Sequence, residues 1–563
     1  MKIKQFFFLF LSIGLLLSSW TASADPAGKV KFVVDASGNG EPMKPIWSFV
    51  GYDEPNYTYM KDGVKLLTEL SELSYTPVFV RTHNLLTSGD GTPALKWGST
   101  NAYTEDESGN PVYDWTIVDR IIDTYIERGM KPMVEIGFMP EALSTNPEPY
   151  QHKWAPNVNN PLYTGWTFPP TDYDKWRDLV YNWVKHSVER YGEEEVLTWY
   201  WEVWNEPDIG YWSGTHEEYC KLYDYAADGL KKALPKAKIG GPETTNPGSK
   251  KAKEYLTKFL DHCASGTNYA TGKKGAPLDF ITFHAKGNPR VVDGHVRMNL
   301  GVQVNNIAEG FEAVASYPQY KKLPIIIGES DPEGCAACSV RYNPQNDYRN
   351  GTMYSSYTAA AYARTYELAK KYDVNILGAV SWAFEFEDQE WFAGFRDMAT
   401  NGIDKPVLNT LRMFGQMKGS FIPVSASRHI DVEDMMLNSV RDDEDVNALA
   451  TASESSIAVM VWNYHDDDVI SEPTDIEVII NKIGKDKVYV QHYRIDEGHS
   501  NSYSVWRSMG SPQNPTPEQY ELLEKSGKLE LLAPGYWTDV DDGSLKFSFP
   551  LSRQGISLIK LTW

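Results

Sequence analysis

Trp199-Tyr200-Trp201-Glu202-Val203-Trp204-Asn205-Glu206-Pro207-Asp208 reads as a buried strand that stops abruptly at Asn-Glu-Pro. The run is apolar and aromatic, as a strand covered on both faces should be. Pro207 disfavours a helical backbone at Glu206 and so restricts how the chain leaves the strand. In a barrel of parallel strands, functional side chains project from the C-terminal strand ends. Asn205 and Glu206 stand at such an end. An isolated Asn-Glu-Pro fits a surface loop equally well; the aromatic strand before it decides between the two.

Working outward, seven more short apolar runs appear, at residues 46–52, 77–82, 132–137, 237–241, 278–284, 324–329 and 376–382. Helical patterns separate them. Ile117, Ile121, Ile122 and Tyr125 fall on one helical face. Thr215 with Glu218 has the spacing of a capping box, opening a helix that ends before Pro235. Residues 173–191, 250–264, 302–317 and 352–372 are further helix candidates. Eight strands alternating with helices predict an α/β fold, a (β/α)8 TIM barrel over residues 46–419. A doubly wound sheet would show a Gly-rich phosphate turn after an early strand, and none is visible.

After residue 419 the pattern changes to alternating runs at 457–462, 476–480, 488–494, 545–549 and 556–561. Turns such as Asp466-Asp467-Asp468 and Asp541-Asp542-Gly543 divide them. This predicts an accessory antiparallel β-sandwich over residues 420–563, joined by a strand from residues 25–45. The acidic turns lack calcium-loop spacing, so they are read as solvated turns.

The 563 residues exceed one compact domain, consistent with two units. The formal charge, 54 − 76 = −22, disfavours nucleic acid and anionic membranes as partners. Aromatic residues are abundant; they stack on sugar rings, but the count alone favours core filling. Lys2 and Lys4, the apolar run 6–17 and Ala22-Ser23-Ala24 predict a signal peptide at residues 1–24, hence a periplasmic or secreted protein. That run is shorter than a membrane span and no Cys follows it, so no membrane anchor is expected. Cys335 and Cys338 are spaced for a local bridge. As a zinc or redox pair they lack a second ligand pair, and no metal site is expected. Cys220 and Cys263 read as buried thiols.

A second glutamate, Glu329, ends the strand Pro324-Ile325-Ile326-Ile327-Gly328-Glu329. Two carboxylates on separate strand ends suit glycoside hydrolysis, one as acid and one as nucleophile. The alternatives are an ion-paired structural Glu329 and Asp331 as nucleophile. Other strand ends carry polar groups. Arg81 is a candidate to orient a catalytic carboxylate, or a structural ion pair. His83 and His284 are candidates for sugar hydroxyls or the carboxylates, or structural imidazoles. Lys286 suits a hydroxyl or a substrate carboxylate, or is a solvated lysine. Trp382 suits a sugar face or the core. Glu135, inside its strand, reads as a buried, paired group.

With Arg81-Thr82-His83, Ile136-Gly137-Phe138-Met139-Pro140, the Asn205-Glu206-Pro207 strand, Leu278 to His284 and the strand ending in Glu329, the sequence resembles family 39 of the glycoside hydrolases. That family holds β-xylosidases and α-L-iduronidase. Val461-Trp462-Asn463-Tyr464-His465, Tyr493-Arg494-Ile495-Asp496 and His499-Ser500-Asn501 fit its β-xylosidase pattern. The resemblance implies a retaining enzyme without cofactor, with Glu206 as acid/base, Glu329 as nucleophile and an oligosaccharide as substrate. It points to an exo-acting β-D-xylosidase on xylo-oligosaccharides, with an iduronidase-like or α-L-arabinosidase activity as alternatives. A non-catalytic carbohydrate-binding protein is the alternative of another class, but it has no need of two strand-end glutamates.

Two departures bear on the sugar. The β-xylosidases follow their nucleophile with a Trp-Ser-like pair, whereas Ser330-Asp331-Pro332 stands here. That is closer to iduronidase, as are His262-Cys263 with Gly266-Thr267-Asn268, and His284 with Lys286-Gly287. The matching lysine of iduronidase binds a uronic carboxylate. Its Gly-Trp is replaced here by Gly334-Cys335, which leaves that clamp incomplete.

Overall fold

The computed structural model describes residues 29–152, 162, 163, 165–335, 337–382 and 384–563. The leader expected at residues 1–24 lies outside them. Eight parallel strands form the barrel: β1 (Phe49–Tyr52), β2 (Phe79–Thr82), β3 (Lys131–Ile136), β4 (Tyr200–Val203), β5 (Lys238–Thr244), β6 (Phe280–Phe283), β7 (Pro324–Ile327) and β8. β8 comes in two pieces, Asn375–Ala379 paired with β7 and Ser381–Trp382 paired with β1, and so closes the ring. All eight expected strands are present, each within a few residues of its expected place.

The barrel interior is filled by Phe49, Met133, Phe280, Ile326, Val380 and Trp382, which pack as one buried cluster. The helices lie outside and turn apolar stripes inward. Leu179, Val180 and Val184 of the helix Tyr173–Tyr191 are fully buried, and each such burial contributes roughly 1.5–3 kcal/mol. The helix His216–Ala233 opens on the expected capping box. Glu218 N–H donates to Thr215 Oγ1 at 3.1 Å and Thr215 N–H to Glu218 Oε2 at 2.7 Å.

β5 runs past its expected end. Pro242 reads as a stop, but the strand continues through it with a register shift against β6 and carries the chain to Glu243.

The second unit packs a four-stranded sheet on a six-stranded one. Val30, Phe32, Val34, Ile476 and Val478 of the first meet Val459, Val461, Ile559 and Leu561 of the second. One pairing departs from the antiparallel expectation: Val30–Asp35 runs parallel to Thr474–Asn481. A chain segment arriving from before the barrel enters the sheet without a hairpin, so antiparallel pairing is not imposed on it.

Asp466 and Asp467 are not solvated, contrary to expectation, whereas Asp468, Asp541 and Asp542 are exposed as expected. Asp466 is fully buried and accepts from Leu300 N at 3.1 Å and Tyr464 Oη at 2.8 Å. Asp467 pairs with Arg297 at 2.5 Å, on the hairpin that follows β6. These acids are spent on joining the two units. Cys335 and Cys338 form a disulfide, and Cys220 and Cys263 are buried free thiols. Among the described residues no helix is long and apolar enough to cross a membrane.

Candidate active site

Glu206 and Glu329 meet at the C-terminal end of the barrel. Glu206 lies just beyond β4 in a left-handed backbone, φ 45°, and its N–H donates to Glu243 O at 2.9 Å. Asp208 ties the same loop to Thr245 N at 2.8 Å. Glu329 follows β7, and its carbonyl accepts from Ala285 N at 2.9 Å. Both glutamates are nearly closed off, 6% and 3% exposed.

Lys286 bridges them. Its Nζ donates to Glu206 Oε1 at 2.7 Å and lies 3.0 Å from Glu329 Oε2. The lysine's backbone is held on both sides, by Asn246 Oδ1 at 2.8 Å and by Asn306 Nδ2 at 2.8 Å. His284 Nδ1 is 2.8 Å from Glu206 Oε1 and 3.7 Å from Glu329 Oε1. Arg396 Nη1 donates to Glu329 Oε2 at 2.8 Å, while its other nitrogens hold Asp331 at 2.5 and 2.6 Å.

These cations outweigh burial. Burial alone raises a carboxyl, but the Lys286 charge and the His284 hydrogen bond bring Glu206 down to about 2. Burial acts on Glu329 too, and Lys286, His284 and Arg396 hold it well below the carboxylate range. Asp331 differs. Burial pushes it up to about 6 despite the Arg396 fork. An acid tied in both oxygens to an arginine is a poor nucleophile, so Asp331 acts as the anchor of Arg396.

A second layer lies beneath, inside the barrel. Arg81 Nε donates to Glu202 Oε2 at 2.7 Å, and Nη2 donates to Glu135 Oε2 and to Asn205 Oδ1, each at 3.1 Å. Its Nη1 lies 2.7 Å from His83 Nε2 and 4.0 Å from Glu329 Oε1. Arg81 is thus an ion-pair hub that reaches toward Glu329. His83 Nδ1 faces Asp53 Oδ1 at 2.7 Å. Burial and the Arg81 charge bring His83 down to about 4, so it accepts from Arg81 as a neutral ring. Trp382 is 1% exposed and is flanked by Arg81, Arg396 and His83, with Arg81 Cζ 5.2 Å and Arg396 Cζ 5.5 Å from its ring centre. Glu135 is the buried, paired group the sequence suggested.

The structure therefore brings Glu206, Glu329, His284 and Lys286 into one contact set, with Arg81, His83, Asn205 and Trp382 directly below. Sequence reading missed Arg396, Glu243, Asp53 and Glu202. Arg396 lies in the irregular stretch after β8, where no strand end points to it. Among the described residues the Glu206–His284–Glu329 group has metal-ligand spacing, its ligand atoms lying within 4.8 Å of one another. Lys286 and Arg396 already supply cationic charge to that space.

The comparisons agree with this arrangement. The family model described as "Glycosyl hydrolases family 39" matches residues 30–539. A β-xylosidase of Geobacillus stearothermophilus is 26% identical, covering 94% of this chain and 95% of its own length. An α-L-iduronidase of Mus musculus is 23% identical, covering 87% and 74%. A solved structure of a bacterial orthologue of human α-L-iduronidase shares the fold with a TM-score of 0.75 at 20% identity, covering 95% of this chain and 84% of that one. The chain belongs to family 39 of the glycosyl hydrolases and is an O-glycosyl hydrolase acting on carbohydrate.

Proposed function

We propose that the chain is a retaining exo-glycosidase that works by double displacement, with Glu329 as nucleophile and Glu206 as acid/base. The carrying observation is their closeness: one oxygen of each lies within 4.8 Å of the other, and both touch Lys286 Nζ. Retaining pairs stand about 5–5.5 Å apart, whereas inverting pairs leave about 6.5–9.5 Å for a water. In the first step a Glu329 oxygen bonds to the anomeric carbon as the glycosidic bond breaks, and Glu206 gives its proton to the leaving oxygen. In the second, water attacks that carbon, Glu206 takes the water's proton and Glu329 leaves as carboxylate. Arg396, on Glu329 Oε2, stabilises that departing charge. Exo action follows from closure. Carboxyls this hidden admit a chain end more readily than an internal residue.

The sugar we propose is a β-D-xyloside, supported by the β-xylosidase relative that aligns along almost the whole chain. One observation favours a second reading, a uronide. Lys286 holds Glu206 ionised, yet an acid catalyst must carry a proton. A substrate carboxylate would draw the ammonium away and release Glu206. A panel of aryl xyloside, arabinoside, galactoside and iduronide tests this. The xyloside is expected to have the highest kcat/KM; an iduronide ahead by tenfold or more establishes the second reading instead. Action outside the cytoplasm belongs to the same proposal, supported by the leader-like residues 1–24 and the Cys335–Cys338 disulfide.

A further inference from the structure

We propose that Glu243 is a positioning residue that fixes the ring and the charge of His284 against Glu206. The proposal rests on Glu206 being the acid/base.

Glu243 sits at φ 56°, a left-handed backbone that strains a non-glycine residue. The fold around it compensates. Its side chain occupies a space that only glycine leaves beside the nucleophile: a Cβ on Gly328 would stand 1.3 Å from Glu243 Oε1. Its carbonyl receives Glu206 N–H at 2.9 Å. One residue thus holds the Glu206 backbone and reaches the imidazole that holds the Glu206 carboxylate.

His284 is fully buried between acids on both ring nitrogens. Nδ1 faces Glu206 Oε1 at 2.8 Å and Nε2 faces Glu243 Oε1 at 2.7 Å. The second is an ion contact and lacks hydrogen-bond alignment. Nδ1 has its acceptor in Glu206, and the Glu243 carboxylate beside Nε2 favours the cationic ring by its charge. The titratable and charged groups facing this pair are Glu206, Glu329, Lys286, Arg81, Glu202 and Glu135. Burial lowers His284, but Glu329 and Glu243 raise it above the usual range while Lys286 opposes them. Burial likewise acts on Glu243, and Arg81, Glu202 and His284 bring it down to about 2. Glu243 is the anion beside His284 whose charge does not change as Glu206 and Glu329 exchange protons and bonds, and it holds the ring toward its cationic form.

The consequence is readable in a pH profile. In Glu243→Gln the ring loses a fixed anion and is neutral at lower pH. Glu206 and Glu329 then lose a cation, and both are raised. Both limbs of kcat/KM against pH are expected to move upward, by about one pH unit. Glu243→Asp keeps the charge and is expected to leave the limbs in place while lowering kcat. In a His284→Asn background Glu243→Gln should add no further shift. A fall in kcat with unmoved limbs overturns the proposal, as does a shift that persists without His284. Nitrogen NMR of labelled wild-type enzyme is independent of any variant's folding: both His284 nitrogens should be protonated at pH 7, and a neutral ring there overturns the proposal. Failure of the acid/base reading shows separately, in how Glu206→Ala treats good and poor leaving groups.

Discussion

Glu202 lies in β4 and Glu206 just beyond its end, four residues on, yet the fold treats them in opposite ways. Both are buried. Glu202 lies inside β4 and shares Arg81 with Glu135 and Glu243. Burial pushes it well above the carboxylate range despite Arg81, and Glu243 adds to the rise. Glu206 lies past the strand end, where Lys286 and one face of His284 reach it and Glu329, and is brought down to about 2. Depth in the barrel therefore decides whether burial raises an acid or nearby cations lower it. The difference comes from which cations the loops beyond the strands deliver, since burial is common to both.

The strongest way to break this comparison is at the upper layer. Glu329→Ala removes the proposed nucleophile, and turnover of aryl glycosides should fall by roughly 10⁴-fold or more. Azide should then restore turnover with an inverted product, read by NMR of the released sugar. Near-normal activity would remove Glu329 from the nucleophile role. Glu206→Ala should cost roughly 10²–10⁴-fold on poor leaving groups and far less on activated ones. Equal losses on both would mean that Glu206 does not donate the proton.

The lower layer responds in stability instead. Arg81→Met strips the hub from Glu202, Glu135 and Glu243. Removing one partner of a buried ion cluster costs about 3–5 kcal/mol. The urea midpoint should fall accordingly. A loss under about 1 kcal/mol would show that the three acids do not depend on Arg81.

How far the sequence displayed this difference depends on the element. The eight barrel strands were legible because strands covered on both faces are continuous apolar runs. Glu206 and Glu329 were legible because each follows such a run. Glu243 was hidden by Gly240-Gly241-Pro242, which looks like the end of a strand; only the register shift against β6 shows that the chain continues inward. Arg396 was hidden because the stretch after β8 has no periodicity, and nothing local marks an arginine that folds back over Glu329. The edge strand Glu530–Asp539 escaped for a related reason: it is half exposed with no clean alternation. The Asp466 turn was misread because composition cannot tell an acid that water solvates from one that another unit's backbone satisfies.

The smallest effect is the sharpest test of the contrast, because it asks about Glu202 alone. A group raised in the folded state contributes stability that is fully present below its unfolded value, near 4.5, and is lost as pH rises through the folded value. Burial therefore draws Glu202 toward its protonated form on folding, against the pull of Arg81. Glu202→Gln removes that titration while keeping the shape and an oxygen for Arg81. The variant should gain on the wild type in urea midpoint as pH rises from 4 to 7, with a slope of at most about 1.4 kcal/mol per pH unit for one proton. Glu206 has the opposite sign. Its depressed value makes its stabilisation present above about 4.5 and lost as pH falls toward about 2, so Glu206→Gln should lose against the wild type as pH rises through that lower window, with only the tail of the change left above about 4.5. Two glutamine variants four residues apart with opposite pH slopes would establish that depth separates the two acids. Parallel slopes would show that Arg81 keeps Glu202 ionised and that the two layers differ only in which cation they use.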